Sequence, residues 1–241
     1  MKKIIFFDTE TTGNTEKDFL CQIAYKTKDE NFVGLYKPPI KIPPEASAIH
    51  HITNKMVLDK PTFSQSNDLN KIKKLFETKD SVVVAHNAPF DLAIIKKEGI
   101  VPANFICTLR LVRYLDKDNK IEKYNLQYLR YLLEIEINAL AHDAMGDVLV
   151  LEKLYERLKK KVIESEKLNE ADENSVIEKM IEISSHPSII TTLNFGKYKG
   201  KKVEEVVSLD KGWLEWLYGE KIKSDVIDED WIYTLKHYLK K

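Results

Sequence analysis

The run Lys3-Ile4-Ile5-Phe6-Phe7-Asp8-Thr9-Glu10 begins as a β-branched and aromatic strand and ends in two carboxylates. Lys3 to Phe7 reads as a buried strand. In a strand, residues i and i+2 share a face. Asp8 and Glu10 are therefore expected to aim two carboxylates together at the strand end, with Thr9 pointing away.

Two later segments complete the acidic set. His86-Asn87-Ala88-Pro89-Phe90-Asp91 follows the apolar strand Ser81-Val82-Val83-Val84-Ala85, so Asp91 should lie at a helix start, where the helix dipole favours an anion. His142-Asp143-Ala144-Met145-Gly146-Asp147 opens a long helix, with Asp147 in its first turns and His142 on the entering loop. Strand ends and helix starts are where α/β sheets place sites.

Elsewhere the pattern is mixed. Leu20 to Tyr25 and Asn31 to Tyr36 read as an antiparallel hairpin. Pro38, Pro39, Pro43 and Pro44 predict an extended crossing, and Thr53 to Leu58 a short helical piece. Helices are expected over Leu69 to Phe76, Phe90 to Glu98, Leu109 to Leu115, Leu126 to Leu133 and Asp143 to Leu158, with a short strand at Phe105 to Cys107. This order predicts a mixed α/β sheet flanked by helices.

Composition divides the chain into residues 1–163, a polar linker at 164–175, and a small α+β unit at 176–241. In that last part Phe195 to Lys202 predicts a glycine-marked hairpin, and Trp213, Trp216 and Trp231 read as core. Lys197, Lys199, Lys201 and Lys202 around Tyr198 fit phosphate neutralisation and base stacking; they equally fit a solvated turn. Arg110 and Arg113, one helical turn apart, fit a phosphate grip or a solvated helix face.

Lys+Arg and Asp+Glu are both 38, so any basic surface must be local. Cys21 and Cys107 match no metal or redox spacing and read as core residues of a reducing compartment. No secretory leader or membrane-length apolar run is seen, which predicts a cytoplasmic protein without membrane contact.

Four carboxylates held close repel one another and call for cations. Oxygen donors favour Mg²⁺ or Mn²⁺, and two such ions can serve phosphodiester hydrolysis. His142 is placed to take a proton from the attacking water near neutral pH.

The three segments resemble the DEDDh (DnaQ-like) family of 3′–5′ exonucleases, which has a ribonuclease H-like fold. That resemblance implies a catalytic set of Asp8, Glu10, Asp91, Asp147 and His142, with the four carboxylates holding two Mg²⁺ or Mn²⁺ ions. It also implies release of 5′-mononucleotides from single-stranded or frayed 3′ DNA ends, with DNA repair as the setting. Pro44 to Thr53 and Leu58 to Phe63 look like the proofreading subunit of bacterial replicative polymerase, which implies that Glu45, His50 and the Thr11-Thr12 backbone face the terminal nucleotide. Asn87 and Phe90 of the second motif are expected beside them as substrate contacts, whereas His51 is read as an ordinary loop residue.

Ile106 to Arg113 and the tail from Pro187 to Leu239 are similar to the exodeoxyribonuclease X group within this family, so the resemblance spans nearly the whole chain. The loop Asn14-Thr15-Glu16-Lys17-Asp18 offers no apolar wedge to part a duplex end. A polymerase proofreading subunit and a DEDDh exoribonuclease are the alternatives. Partners implied are DNA 3′ ends, with repair or replication proteins as candidates.

Overall fold

β1 (Lys3–Thr11) is the centre of the molecule. It pairs antiparallel with β2 (Leu20–Lys26), which pairs antiparallel with β3 (Asn31–Leu35). On its other side β1 runs parallel to β4 (Ser81–Ala85), and β4 to β5 (Phe105–Cys107). The sheet order is β3-β2-β1-β4-β5. This computed structural model describes residues 2–15, 17–117, 119–137, 144–224 and 228–241.

Alternation along the strands sorts side chains into two cores. Phe6, Ala24, Val82, Val84 and Ile106 face one layer of helices: α4 (Thr108–Leu115), α5 (Leu126–Leu132), α6 (Ala144–Glu166) and α7 (Glu173–Ser185). Ile5, Phe7, Ile23, Tyr25, Val83 and Ala85 face the other, made by α2 (Asp68–Phe76) and α3 (Ala88–Lys97). β4 is buried at every position, as a parallel strand covered on both faces must be.

The structure differs from the sequence expectations in four places. The proline-rich crossing ends in a helix, α1 (Pro44–His50), because Pro44 stands in its first turn, where a missing N–H costs nothing. Thr53 to Leu58 forms successive turns instead of a helix.

The third difference concerns the tail. α7, placed by composition with the C-terminal unit, buries Val176, Ile177 and Met180 in the first core. The polar stretch before it is partly the end of α6 and partly the cap of α7, where the Asp172 carboxylate accepts from the Ser175 N–H.

Beyond α7, a separate cluster gathers Leu193, Val203, Val206, Leu214, Leu217, Trp231, Leu235 and Leu239. It is built by α8 (Val203–Leu209), α9 (Lys211–Lys223) and α10 (Glu229–Leu239). Its β component is a single antiparallel bridge, Thr192 to Lys202, in place of the expected hairpin. Among the described residues no helix is long and apolar enough to cross a membrane.

Candidate active site

The parity of β1 divides the acidic set. Even-numbered residues face the α6 layer, and there Asp8 and Glu10 meet Asp147 from the first turn of α6. One carboxylate oxygen from each of the three lies within 4.8 Å of the others. A bulge between Glu10 and Thr11 breaks the pairing with β2 at this end of the strand, a distortion that re-aims side chains.

Thr9 faces the opposite layer and is buried there. Its N–H and its hydroxyl both donate to Asp91 Oδ1, at 3.1 and 2.6 Å. Asp91, on the first turn of α3, is thus held from the far side of the strand. The sequence expectation left Thr9 idle; its short polar side chain on the face toward α3 was the available signal.

Burial, then the charges of Asp91, Glu10 and Asp147, raise the pKa of Asp8 well above the usual carboxylate range. Burial also pushes Asp91 up, against the two hydrogen bonds from Thr9. Each negative charge thus makes the next harder to keep. Hard oxygen donors assembled at such electrostatic cost fit a divalent cation, which would relieve the repulsion. Gln127 of α5 donates through Nε2 to Asp147 Oδ1, fixing that carboxylate in a way the sequence did not suggest.

His50 is buried, and both ring nitrogens are engaged. The Ile52 N–H donates to Nδ1 at 3.0 Å, so the proton sits on Nε2, which donates to the Thr11 carbonyl at 3.2 Å. Burial holds its pKa below the ordinary histidine value. The expected substrate contact is therefore a neutral brace for the strand end. Glu45 is exposed on the first turn of α1.

Thr12 is tied to Asp18 at 2.9 Å, and Thr11 Oγ1 donates to the Gly13 carbonyl. Their side chains lock the loop at the end of β1. His142 lies outside the described residues.

Asn87, Phe90 and His86 border a cleft of about 400 Å³ that reaches Asn14 on one side and Asn194 and Asp228 of the C-terminal unit on the other. Asn87 takes a left-handed conformation, φ 64°, at the entry to α3, which turns the chain sharply from β4 into the helix. His86 Nε2 donates to the Tyr124 carbonyl at 2.7 Å, so Nδ1 accepts from the Thr108 hydroxyl at 2.9 Å.

Arg110 is neither a phosphate grip nor a solvated face. It is 4% exposed and donates to the Ser184 carbonyl, Glu229 and Asp230. Arg113 donates to the same Asp230. Both arginines dock α10 onto α4.

In the tail, Lys197 pairs with Asp210 at 3.1 Å, and the Tyr198 hydroxyl donates to the same carboxylate at 2.8 Å. Tyr198 packs its ring on Trp213. Lys199 and Lys201 are exposed.

A ribonuclease H-like sheet carrying this acidic cluster at the end of its central strand defines a DnaQ-like 3′–5′ exonuclease. The family described as "Exonuclease" matches residues 5–155, and the chain belongs to it. A second match, "Exodeoxyribonuclease X-like C-terminal", covers residues 193–221. The chain is 32% identical to exodeoxyribonuclease 10 of Escherichia coli K12 over 85% of its own length and 83% of that protein. It is 32% identical to the DNA polymerase III epsilon subunit of Treponema pallidum over 62% of its length and 73% of that subunit.

Among solved structures, exonuclease X in complex with 5′ overhanging duplex DNA superposes with a TM-score of 0.57 and 25% identity, over 75% of this chain and 99% of that one. Escherichia coli exonuclease I bound to a dT13 oligonucleotide shares the fold, with a TM-score of 0.57 at 21% identity over 67% of this chain and 42% of that one.

Proposed function

We propose that this exonuclease degrades DNA from single-stranded or frayed 3′ ends, releasing 5′-mononucleotides in the service of DNA repair. The observation that carries the reading is the convergence of one oxygen each from Asp8, Glu10 and Asp147 within 4.8 Å, with the Asp91 charge near enough to raise Asp8 further. These four carboxylates would hold two divalent cations, Mg²⁺ or Mn²⁺. When bound, the ions supply the positive charge that activates water and stabilises the departing 3′-oxygen.

The chain's own residues do the rest. Thr9 holds Asp91 and Gln127 holds Asp147, so both carboxylates are oriented before any ligand arrives. His50 fixes the Thr11 carbonyl, and with it the backbone against which the terminal nucleotide would lie. Asn87 and Phe90 line the cleft of about 400 Å³ and would contact the same nucleotide. A ring nitrogen of His142 accepts the proton of the attacking water. None of these groups reads a base edge, so sequence selectivity is weak, and the terminal nucleotide must enter unpaired.

The test is digestion of 3′-labelled single-stranded, overhanging and blunt DNA beside RNA of the same sequence, with Mg²⁺ and with EDTA. Stepwise loss of DNA 3′ ends, abolished by EDTA and slower on blunt ends, is expected. Degradation of RNA alone, or cleavage insensitive to EDTA, would overturn the reading.

A further inference from the structure

Trp216 does not join the core that the tail's tryptophans were expected to form. Trp231 is 4% exposed, whereas Trp216 is 57% exposed on α9. Half of its neighbours on the helix are glycines. Of the four positions that share its face, Gly212 and Gly219 carry no side chain, Trp213 extends the aromatic surface, and Glu220 closes one side. A Cβ at Gly219 would meet nothing within 4 Å, and one at Gly212 would touch only the Asp210 carboxylate. Glycine is costly inside a helix; Gly219 stands there and Gly212 in the first turn, and together they leave an open shelf beside one indole.

The shelf continues into a basic turn. Trp213, with its ring centroid 6.3 Å from that of Trp216, packs edge-on against Tyr198 at 5.2 Å. Gly196, with φ +70°, lets the turn lie close under Trp213, where a Cβ would come within 3.0 Å of the indole. Lys199, Lys201 and Lys202 on this turn are exposed, and no ion pair engages them among the described residues.

We propose that Trp216 is a stacking platform for a nucleobase of single-stranded DNA, with the 199–202 lysines on the adjoining backbone phosphates. An open indole face takes any base, and adjacent cations bring the polyanion to it. Tyr198, a stacking candidate in the sequence, is spent on Asp210 and Trp213. The platform deepens the proposed reading by adding a second contact on the same substrate class, away from the acidic cluster.

The experiment uses the full chain carrying Asp8→Ala, so that the oligonucleotide survives. Trp216→Ala should weaken binding of a long oligothymidylate by about tenfold, and Trp216→Phe by less. Gly219→Leu keeps the indole and improves the helix; it should leave melting unimpaired yet weaken binding, because it fills the shelf. Oligothymidylate should quench tryptophan fluorescence, and Trp216→Phe should remove most of that quenching. Equal affinity in Trp216→Ala and Gly219→Leu would overturn the platform, whatever the wild-type chain digests. Conversely, Trp216-dependent binding in the Asp8→Ala chain, beside a wild-type chain that cuts no DNA, would spare the platform and overturn the proposed DNA-degrading function.

Discussion

Thr9 does more for the site than its place between two acids advertises. Asp8 and Glu10 face one layer and Thr9 the other, where its N–H and hydroxyl hold Asp91. Asp8→Ala should abolish cleavage of labelled single strands while leaving circular dichroism and melting intact, since it removes a carboxylate that its neighbours already repel. His142→Ala should lower turnover by about 10²–10⁴-fold with Mn²⁺ affinity, read by calorimetry, little changed.

His86 gives a pH dependence of a different kind. Burial lowers its pKa to about 4, below the unfolded value, so the unfolded chain binds the extra proton between these limits. Its contribution to stability is complete above about pH 6.5 and falls away toward pH 4. The raised carboxylates of Asp8 and Asp91 act in the opposite sense over the same range, so the His86 share is read by difference: between pH 7 and pH 5 the wild-type urea midpoint should fall relative to that of His86→Gln by the equivalent of about 1–2 kcal/mol.

Motif spacing made Asp8, Glu10, Asp91 and Asp147 legible in the sequence, because their strand-end and helix-start positions have recognisable flanks. Thr9, Gln127 and the bracing role of His50 were not legible. Each depends on which partner lies across from it, 82 residues away for Thr9 and 20 for Gln127.

Elements carry a second set of lessons. All five strands were readable from β-branched and aromatic runs, but α1 was hidden by its own prolines. A proline is a helix breaker inside and a helix starter at the first turn, and only the later Ala46 and His50 packing separates the two. α7 was readable as the amphipathic run Val176 to Ser184; its place in the first core was not, because its charged neighbours set it apart from the rest of that core in composition. α6 holds one misfit: the Tyr155 hydroxyl is buried with no hydrogen-bond partner among the described residues, while its ring packs edge-on against Phe6 at 5.2 Å. Tyr155→Phe keeps the ring contact and removes the orphan. Urea denaturation should show stability unchanged or raised by up to about 1 kcal/mol, against the loss that deletion of a bonded hydroxyl would give.

At the scale of the molecule, the position of α7 sets where the chain can be cut. Truncation after Lys167 would strip Val176, Ile177 and Met180 from the first core. Those three side chains stabilise by about 1.5–3 kcal/mol each, a sum comparable with the whole stability of a domain. That fragment should be insoluble or unfolded by circular dichroism. Truncation after Pro187 keeps α7 and should yield a folded fragment that still trims short single strands, with weaker retention on long ones at moderate salt.

Asp230 is nearly sealed from water and accepts from Arg110, from Arg113 and from the Ser188 N–H. That one carboxylate makes the nuclease core and the tail hostages to each other. Brine, which strips surface ion pairs, finds little there to dissolve, so the halves should weather high salt as a unit and melt in a single step. Damage at Asp230 would not free a swinging arm. It would leave a buried guanidinium short of a partner and bare the 186–189 crossing to proteases, a penalty that a chain ending at Pro187, where water can reach Arg110, escapes.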